Sequence, residues 1–296
     1  SHSNAFSKNK SFLLIAGIDT KRNIKNIFEK KYKVPSFNSI HECSKSNKPD
    51  IVVISNNTHK RLDTLKSIIK YWPSTKVIIC EKPLAHNIIE AKKFRSLSKK
   101  NNIDVYINFF RRSCPGINTL KNKILNKKLN FPFEGFAIYS KGLINSGSHL
   151  INVLHYLFGE VEDIKILSRN KRYINNDYNC SFILKFKNGS INFFPSTIKE
   201  YFNNSIELMF SDGMIRLENS MRDIKYHKII KDKIFKDYKI INKNFLELNT
   251  NYALCQKYFV EELLKKINNK NANISTIDDA FYTQVVLNKI INNKKF

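Results

Sequence analysis

Short apolar runs alternate with helical patterns through the first 110 residues, and this alternation constrains the possible fold more than any other feature of the sequence. The predicted strands are residues 12–18, 50–55, 76–80 and 105–109. They are rich in Ile, Leu and Val, as strands buried on both faces of a parallel sheet are. The predicted helices are residues 23–31, 64–71 and 88–100. Strands and helices that alternate at this pitch form βαβ units, so we expect a parallel sheet with right-handed crossovers.

The pattern changes near Arg111 and becomes rich in predicted strands after Gly159. Helices are predicted at residues 116–126 and 148–158, and closing helices at 252–266 and 278–292. The predicted strands are residues 133–140, 164–168, 180–187, 190–195, 205–210 and 214–218. We therefore expect an α/β protein with two domains, residues 1–110 and residues 111–296. The second is an α+β domain with a large, open and mainly antiparallel sheet.

The net charge of +26, from 51 Lys and Arg against 25 Asp and Glu, has two interpretations. A basic chain is typical of nucleic-acid binding. Here, however, lysine is spread over nearly every segment and accompanies an excess of Asn and Ile, which is typical of an AT-rich genome. The basic stretch of residues 228–243 is interpreted as an exposed strand and loop and not as a binding arm. We expect no nucleic-acid partner, and a preference for anionic small substrates stays open.

The lengths of the apolar runs and the spacing of the cysteines exclude further classes of protein. No apolar run approaches the ~18 residues of a membrane span, so we expect no membrane partner. The five cysteines are Cys43, Cys80, Cys114, Cys180 and Cys255. They lie far apart without a C-x-x-C pair, so we predict neither a metal site nor a disulfide framework. Their odd number and wide spacing favour a reducing cytoplasm.

Lys82 lies just after a predicted buried strand, in the sequence Cys-Glu-Lys-Pro of residues 80–83. Ligands of open parallel sheets bind outside the carboxyl ends of the strands. An ammonium group there can stabilise the alkoxide that develops on a substrate hydroxyl. The alternative is a surface lysine beside a turn proline, and spacing alone does not separate the two.

Two ordered motifs resemble the signatures of the glucose–fructose oxidoreductase/inositol dehydrogenase (Gfo/Idh/MocA) family. The first is residues 80–83, followed by Glu-Ala at 90–91, and the second is residues 145–152, followed by Leu-Phe-Gly at 157–159. The resemblance implies a Rossmann domain that binds NAD(P) and a substrate domain with a large open sheet. It also implies that a sugar, polyol or sugar derivative is oxidised or reduced at a secondary alcohol or carbonyl. Such proteins commonly form homodimers or homotetramers through the C-terminal sheet.

The first residues resemble a Rossmann fold that lacks its opening elements. Asp19, followed by Thr20, resembles the acidic residue that ends the family's second strand and binds the adenosine ribose. The family's first strand and G-x-G-x-x-G loop do not precede it, and residues 2–6 resemble the helix just after that loop. We expect either a fragment of a longer protein or a truncated form without this diphosphate-binding loop. The carboxylate favours NAD, whereas Lys21 and Arg22 keep NADP as the alternative.

The resemblance places further cofactor-binding residues after two other strands. Ser55, Asn56 and His59 follow the second predicted strand, where the family binds the nicotinamide ribose. Glu81 and Lys82 belong to the same region of the family's site. The peptide bond between Lys82 and the next residue, a proline, is expected to be cis.

His149 is the expected acid/base residue of the second signature. Its near-neutral pKa suits removal of a hydroxyl proton while a hydride leaves the same carbon. Where the family commonly has a catalytic Asp, this chain has Asn145, and where it has a later Asp, this chain has Asn152. An amide can orient substrate hydroxyls but cannot act as a base. We therefore predict Lys82, His149 and Asn145 as catalytic residues, with Asn145 and Asn152 contacting the substrate.

Arg111 and Arg112 are the remaining predicted substrate-binding residues, since either can contact a carboxylate or a nucleotide diphosphate. The expected function is an NAD(P)-dependent oxidoreductase that acts on a sugar, polyol or nucleotide sugar. The alternative is a catalytically impaired member of the same fold that binds a ligand or serves as a scaffold. The two Asn residues and the missing glycine loop motivate that alternative.

Overall fold

The computed structural model describes residues 1–126, 128–173, 177–198 and 200–292, which form two compact units. The first unit contains Ser1–Phe110 and Gln256–Phe281, and the second contains Arg111–Cys255 and the chain from Tyr282 onward. The predicted boundary after residue 110 coincides with one crossing of the chain between the units. The predicted second domain, residues 111–296, differs from the second unit, because Gln256–Phe281 packs with the first.

Apolar contacts explain why Gln256–Phe281 packs with the first unit. Phe259 and Leu263 lie in one hydrophobic core with the strand residue Ile79. Ile277 lies in a second core with Phe94. An amphipathic pattern shows that a helix has an apolar face, but it does not show which sheet that face covers.

The first unit is built from short parallel strands and helices. Its helices are α1 (His2–Ser7), α2 (Arg22–Tyr32), α3 (Ile40–Cys43), α4 (Arg61–Tyr71) and α5 (Ile88–Lys100). Its strands are β1 (Gly17–Ile18), β2 (Ser36–Phe37), β3 (Ile51–Ile54), β4 (Val77–Cys80) and β5 (Asp104–Ile107). Strands β3, β4 and β5 form a parallel sheet in that order, and β1 pairs with β2 in a separate parallel pair. The predicted parallel sheet is confirmed.

The first predicted strand is much shorter than expected. Of residues 12–18, only Gly17 and Ile18 pair with a neighbour, because the partner strand β2 has only two residues. The sequence analysis missed β2 and α3, which are too short to show a period. Helix α4 begins earlier than predicted, since a 3₁₀ turn at Thr58–Lys60 leads directly into it. Helix α5 has the predicted bounds, with the Asn87 side chain accepting the Glu90 amide at its start.

The second unit is dominated by one large sheet. Its helices are α6 (Pro115–Leu125) and α7 (Ser148–Phe158), and the closing helices of the chain are α8 (Cys255–Ile267) and α9 (Ile277–Asn292). Its strands are β6 (Phe133–Tyr139), β7 (Val161–Tyr173), β8 (Asp177–Phe186), β9 (Gly189–Pro195), β10 (Ser205–Phe210), β11 (Gly213–Glu218), β12 (Asp223–Lys231), β13 (Lys239–Ile241) and β14 (Leu246–Glu247). In the described part of the chain their order is β13-β12-β11-β10-β6-β9-β8-β7, and β14 pairs with β12. Only the β6–β9 pairing is parallel, so the prediction of a mainly antiparallel sheet is confirmed.

One face of this sheet is buried and the other is open. Along β6 the side chains of Phe133, Ala137 and Tyr139 are buried, whereas Glu134 and Phe136 between them are exposed. This alternation is expected for a strand with one face in the core, because successive side chains point to opposite faces. The open face therefore presents side chains such as Phe136 to solvent.

A disulfide joins two distant points of the second unit. Cys114, just before α6, is bonded to Cys255, the first residue of α8. The prediction that the cysteines form no disulfide is wrong for this pair, because a separation of 141 residues gives no sign of pairing in the sequence. Folding brings their Cα atoms to 5.4 Å, which is within the usual range for a disulfide. The other cysteines of the chain are buried thiols.

In residues 1–126, 128–173, 177–198 and 200–292, no helix combines the length and the apolar character needed to cross a membrane.

Candidate active site

The segment after β4 carries Glu81 and Lys82 at the carboxyl edge of the three-stranded parallel sheet. Lys82 is partly buried, and the peptide bond from Lys82 to Pro83 is cis, as predicted. Burial raises the pKa of Cys80, the last residue of β4, to about 12, so its thiol stays neutral and unreactive. Lys82 is therefore the chemically useful side chain of this segment, because an ammonium group can stabilise developing negative charge.

Arg61 holds this segment in place through its backbone. It is the first residue of α4 and only 4% exposed. Its guanidinium donates hydrogen bonds to the carbonyl oxygens of Glu81 at 2.5 Å, Lys82 at 3.5 Å and Pro83. It also donates to the carbonyl oxygen of Asn56, in the segment after β3, at 3.4 Å. One side chain thus connects the segments that follow two neighbouring strands.

The sequence analysis did not predict Arg61. A basic residue at the start of a helix has no distinguishing pattern in a chain with 51 Lys and Arg. The planar guanidinium is nevertheless suited to this place, because it offers five donors in a rigid arrangement.

Glu81 belongs to a polar network within the first unit. Its Oε1 atom accepts hydrogen bonds from His2 Nε2 and Asn108 Nδ2, both at 2.8 Å. Gln256 donates to His2 Nδ1 at 3.1 Å and accepts from Asn108 Nδ2 at 3.2 Å. Burial by itself would raise the pKa of Glu81, but the hydrogen bonds from His2 and Asn108 outweigh it and hold that pKa below its ordinary value. Glu81 is therefore a carboxylate at neutral pH.

The segment after β3 contains Ser55, Asn56 and His59, and all three are exposed. Asn56 Nδ2 donates to Thr64 Oγ1 on α4 at 2.7 Å. The ring of His59 lies beside the ring of His86, with 4.0 Å between the ring centroids. The sequence analysis did not predict His86, because only the fold brings its segment beside the segment of His59.

Asp19 and Thr20 follow β1. Asp19 Oδ1 accepts the Lys21 amide at 2.8 Å, which orients the carboxylate at the strand end, and Thr20 is exposed. The roles of these residues, and of the residues after β3 and β4, in cofactor binding stay predictions.

The described residues of the first unit fit part of an NAD site. A carboxylate at the end of a parallel strand, such as Asp19, is the group that binds adenosine ribose hydroxyls in Rossmann folds. Asn108 Oδ1 is buried at the carboxyl edge of the other sheet and has no hydrogen-bond partner among the described residues, so it can accept a bond from a bound group. Residues 1–110 contain a single glycine, Gly17, which lies within β1. These residues therefore include no glycine-rich turn for a diphosphate.

In the second unit, a π-helix at Leu143–Gly147 leads directly into α7 and carries Asn145. Asp177 on β8 fixes its start: Oδ1 accepts the Ile144 amide and Oδ2 accepts the Asn145 amide, each at 2.8 Å. Gly142, just before the π-helix, has φ 91°, and a Cβ atom there would lie 2.2 Å from the Asp177 carboxylate. Glycine is therefore required for this close approach. The exposed Asn145 side chain thus lies on a segment whose backbone is fixed from the core.

The sequence analysis predicted neither Asp177 nor Gly142. The available signal was the glycine three residues before Asn145. A glycine with positive φ commonly marks a constrained turn, and π-helical segments often occur at functional sites.

His149 and Asn152 lie on α7, three residues apart and hence on one face of the helix. His149 is 7% exposed and Asn152 is fully buried. Asn152 Nδ2 donates to Thr283 Oγ1 on α9 at 3.0 Å, which fixes its side chain inside the second unit. The catalytic role of His149 and the substrate contact of Asn152 stay predictions.

Arg111 and Arg112 lie in the 3₁₀ turn with which the second unit begins, and both are buried. Arg111 Nε donates to the Ser220 carbonyl at 3.2 Å, and burial lowers the pKa of Arg111. Arg112 Nη2 donates to the Asn152 carbonyl at 3.2 Å, and its guanidinium lies 5.1 Å from the centroid of the Tyr156 ring. Such contacts are typical of arginines that stabilise a domain, and contact of either arginine with substrate stays a prediction.

The predicted site residues fall into separate groups in the structure. The residues that follow neighbouring parallel strands of the first unit are Ser55, Asn56, His59, Glu81 and Lys82. The residues on the π-helix and α7 of the second unit are Asn145, His149 and Asn152. Lys82 and His149 therefore belong to different units, and each is positioned by its own unit.

An open cleft of the second unit lies apart from these residues, and the described residues form no metal site. Among the residues that the structure describes, no group of three or more His, Cys, Asp or Glu side chains could hold a metal ion. An open cleft of about 700 Å³ lies along strands β6 to β9 of the second unit, lined in part by Lys165, Lys185 and Lys187. It contains none of the predicted site residues.

Two stretches of the chain match the sequence models of one family. Residues 1–109 match the oxidoreductase family with an NAD-binding Rossmann fold, and residues 137–216 match the GFO/IDH/MocA C-terminal domain. The chain belongs to this family of oxidoreductases, as its two motifs indicated. Among curated protein sequences, none matches the chain.

Several solved structures are similar to this chain over nearly its full length. The WlbA dehydrogenase from Bordetella pertussis, in complex with NADH and UDP-GlcNAcA, has a TM-score of 0.78 at 13% identity, over 98% of this chain and 90% of that chain. The UDP-N-acetylglucosamine 3-dehydrogenase from Acidithiobacillus ferrooxidans has a TM-score of 0.74 at 11% identity, over 98% and 91%. The super-repressor mutant of Gal80p from Saccharomyces cerevisiae has a TM-score of 0.78 at 14% identity, over 98% and 90%. At these identities the similarity concerns the fold.

Proposed function

We propose that the chain is an NAD(P)-dependent oxidoreductase that transfers a hydride between nicotinamide and a secondary alcohol or carbonyl of a sugar-type substrate. The observation that carries the proposal is the fixed position of Lys82. It lies at the carboxyl edge of the parallel sheet, and Arg61 holds the backbone on both sides of it. Residues 1–110 would bind the cofactor, and the second domain would bind the substrate.

The proposed chemistry uses the side chains of Lys82 and His149. NAD, when bound, supplies the hydride acceptor. The Lys82 ammonium group stabilises the oxygen of the substrate as negative charge develops on it, and the His149 imidazole takes the hydroxyl proton. Asn145 and Asn152 orient substrate hydroxyls by hydrogen bonds and carry no charge. Arg111 or Arg112 would meet an acidic group of the substrate.

A nucleotide sugar is the substrate class that we favour. The two similar dehydrogenases named above act on or bind UDP-linked sugars. The net charge of +26 favours a substrate that carries a diphosphate or a carboxylate. Free sugars and polyols are the alternatives within the same proposal.

Replacement of Lys82 by alanine tests the mechanism. The chain would be incubated with NAD and a panel of UDP-sugars, including UDP-N-acetylglucosamine, while the nicotinamide absorbance is followed. We expect Lys82→Ala to lower turnover about a hundredfold to a thousandfold without changing thermal stability. The matched control is Lys92→Ala, because Lys92 is an exposed lysine on α5 of the same unit. Turnover in Lys82→Ala equal to that of the control would remove Lys82 from the mechanism.

NAD is proposed over NADP because the carboxylate of Asp19 suits a free ribose hydroxyl and repels a phosphate. Fluorescence titration should show tighter binding of NADH than of NADPH. Asp19→Ala should bring the two affinities together, whereas Asp50→Ala, at an exposed aspartate of the same unit, should not. An unchanged preference in Asp19→Ala would contradict the assignment.

The second candidate is a non-catalytic member of the fold that binds a ligand or serves as a scaffold. It is favoured by Asn145 and Asn152, which stand where the family commonly has Asp, and by the full burial of Asn152. Titration with NADH separates the candidates. A calorimetric or fluorescence response supports the oxidoreductase, and no response supports the scaffold.

We also propose a cytoplasmic homodimer or homotetramer formed through the open face of the large sheet. Phe136, Phe194 and Met209 are exposed there on the neighbouring strands β6, β9 and β10. A patch of exposed apolar side chains on a sheet face favours burial by a second copy. Phe136→Asp should lower the mass measured by light scattering to that of a single chain. An unchanged mass in this variant would exclude this face as the interface.

A further inference from the structure

Strands β12 and β13 form a hairpin that extends the edge of the large sheet, and its outer part is exposed. Ile229 to Lys231 pair antiparallel with Lys239 to Ile241, and residues 232–238, here named the tip loop, connect the strands. The sequence analysis interpreted this region as an exposed strand and loop. The structure confirms that description and adds which side chains are presented.

The tip loop is ordered by its own hydrogen bonds. Asp232 Oδ1 accepts the amides of Ile234 at 2.7 Å and of Phe235 at 3.3 Å. The Asp232 amide donates to the Tyr238 carbonyl at 2.9 Å, and the Tyr238 amide donates to the Phe235 carbonyl at 2.9 Å. The loop thus has a defined conformation that holds its large apolar side chains in solvent.

Those side chains are exposed to an unusual degree. Ile234 is 81% exposed, Tyr238 67% and Phe235 63%. On the adjoining strands, the paired residues Ile230 and Ile240 are 38% and 43% exposed. Single exposed apolar residues need no explanation, but a contiguous group on an ordered projection is typical of an interaction surface.

Lysines surround this apolar tip. Residues 228–243 contain six lysines and two aspartates, which gives a net charge of 6 − 2 = +4. Lys231 and Lys239 are direct cross-strand partners at the end of the hairpin. Like charges in that position repel each other, and an anionic partner removes the repulsion.

We propose that the tip loop binds the surface of an anionic lipid bilayer. Ile234 and Phe235 would enter the boundary between headgroups and acyl chains, and Tyr238 would lie at headgroup level, where aromatic rings with a polar end are favoured. The surrounding lysines would contact anionic headgroups, which attract basic segments next to a membrane surface. Such peripheral binding needs no long apolar run, so it replaces the expectation of no membrane partner, which rested on the absence of such a run.

A second copy of the chain and a nucleic acid are less suitable partners for the tip loop. A second copy of a chain with a net charge of +26 offers few acidic groups to a basic tip, so self-association through the tip loop is disfavoured. A nucleic acid can pair with the lysines, but it offers no apolar phase for the exposed Ile234 and Phe235 side chains.

Cosedimentation of the full chain with vesicles tests the proposal. Vesicles of phosphatidylcholine alone would be compared with vesicles that contain one-third phosphatidylglycerol. We expect binding to the anionic vesicles and little binding to the neutral ones. In Phe235→Trp, anionic vesicles should shift the tryptophan emission to shorter wavelengths, beyond any change of the buried Trp72 in the unsubstituted chain.

Matched variants assign the binding to the tip. Lys233→Gln with Lys236→Gln should weaken binding about 25-fold, since each lysine near an anionic surface contributes about fivefold. The charge control is Lys92→Gln with Lys93→Gln, two exposed lysines of α5.

A second pair of variants tests the apolar contribution. Ile234→Ser with Phe235→Ser should abolish the insertion. The apolar control is Ile89→Ser with Leu125→Ser, at exposed side chains elsewhere. Equal losses in the tip and control variants, or no binding to anionic vesicles, would overturn the proposal. Binding to duplex DNA that depends on the same tip residues as strongly would favour a nucleic-acid partner instead. None of these measurements needs a substrate, so their outcome is independent of the proposed activity.

Discussion

Replacement of Arg61 by methionine should destabilise the first unit by about 3 kcal/mol. A hydrogen bond to a charged group contributes about 1.5–3 kcal/mol. Arg61 donates to the carbonyls of Glu81 and Pro83, whereas its bonds to the carbonyls of Lys82 and Asn56, at 3.4–3.5 Å, are weak. Methionine keeps the length of the side chain and removes a buried charge, whose desolvation opposes folding and cancels part of the loss. The remaining loss of about 3 kcal/mol lowers the folding equilibrium constant more than a hundredfold.

Urea denaturation followed by tryptophan fluorescence measures the loss of stability in the first unit, which contains Arg61. Trp72 is the single tryptophan of the chain and directly follows α4, on which Arg61 lies. Its side chain is buried, and Nε1 donates to the Asn47 carbonyl at 2.8 Å. Because two compact units can unfold separately, a local probe is preferable to a signal from the whole chain.

Arg95→Met is the matched control. Arg95 lies on α5 of the same unit, is partly exposed and pairs with the exposed Asp278. Such a surface ion pair contributes about 1 kcal/mol or less. The reasoning is refuted if Arg61→Met lowers the unfolding free energy no more than Arg95→Met does. A folded Arg61→Met variant should also bind NADH more weakly, because the segment that contains Lys82 loses its support.

Three further predictions concern titration, backbone support and the disulfide. The pKa of Glu81 is lowered in the folded state, so its contribution to stability is complete above the unfolded pKa of about 4.3 and is lost as the pH falls through the lower folded value. The stability difference between the wild type and Glu81→Gln, measured by tryptophan fluorescence, should therefore shrink in that acid range, and a constant difference would contradict the assignment. Asp177→Ala should lower the free energy of unfolding by about 2 kcal/mol and speed hydrogen exchange of the two π-helix amides that Asp177 binds. Unchanged exchange at those amides would show that the carboxylate does not fix the segment. After air oxidation and denaturation, thiol titration should find three thiols, because Cys114 and Cys255 are bonded, and five thiols would disprove the pairing.

The spacing of apolar residues predicted the strands and helices that are buried in a regular pattern along their length. Residues 77–80 of the predicted run, Val-Ile-Ile-Cys, suit a strand buried on both faces, and all four residues of β4 are buried. The bounds of α5 and α7 agree with the predicted helices at residues 88–100 and 148–158. The elements that were missed or shortened, β1, β2 and α3, are too short for any period to appear.

The candidate site was predictable to the extent that it lies in continuous motifs. Glu81, Lys82 and His149 belong to short segments whose residue order is distinctive in itself. Arg61 and Asp177 were not predictable, because each acts on the backbone of a segment far away in sequence. Their partners are backbone carbonyl and N–H groups, which nearly every residue has. The sequence therefore does not show which of these groups are bound.

Local residue order was enough to predict the family, the alternation of strands and helices in the first part, and the mainly antiparallel sheet of the second. These properties depend on short motifs and on the side-chain period along each element. Long-range packing placed Gln256–Phe281 in the first unit and brought Cys114 to Cys255, and the folded hairpin ordered the exposed apolar residues of the tip loop. Contacts between residues far apart in sequence are set by the packing of whole elements, and no local pattern records which surface each element covers.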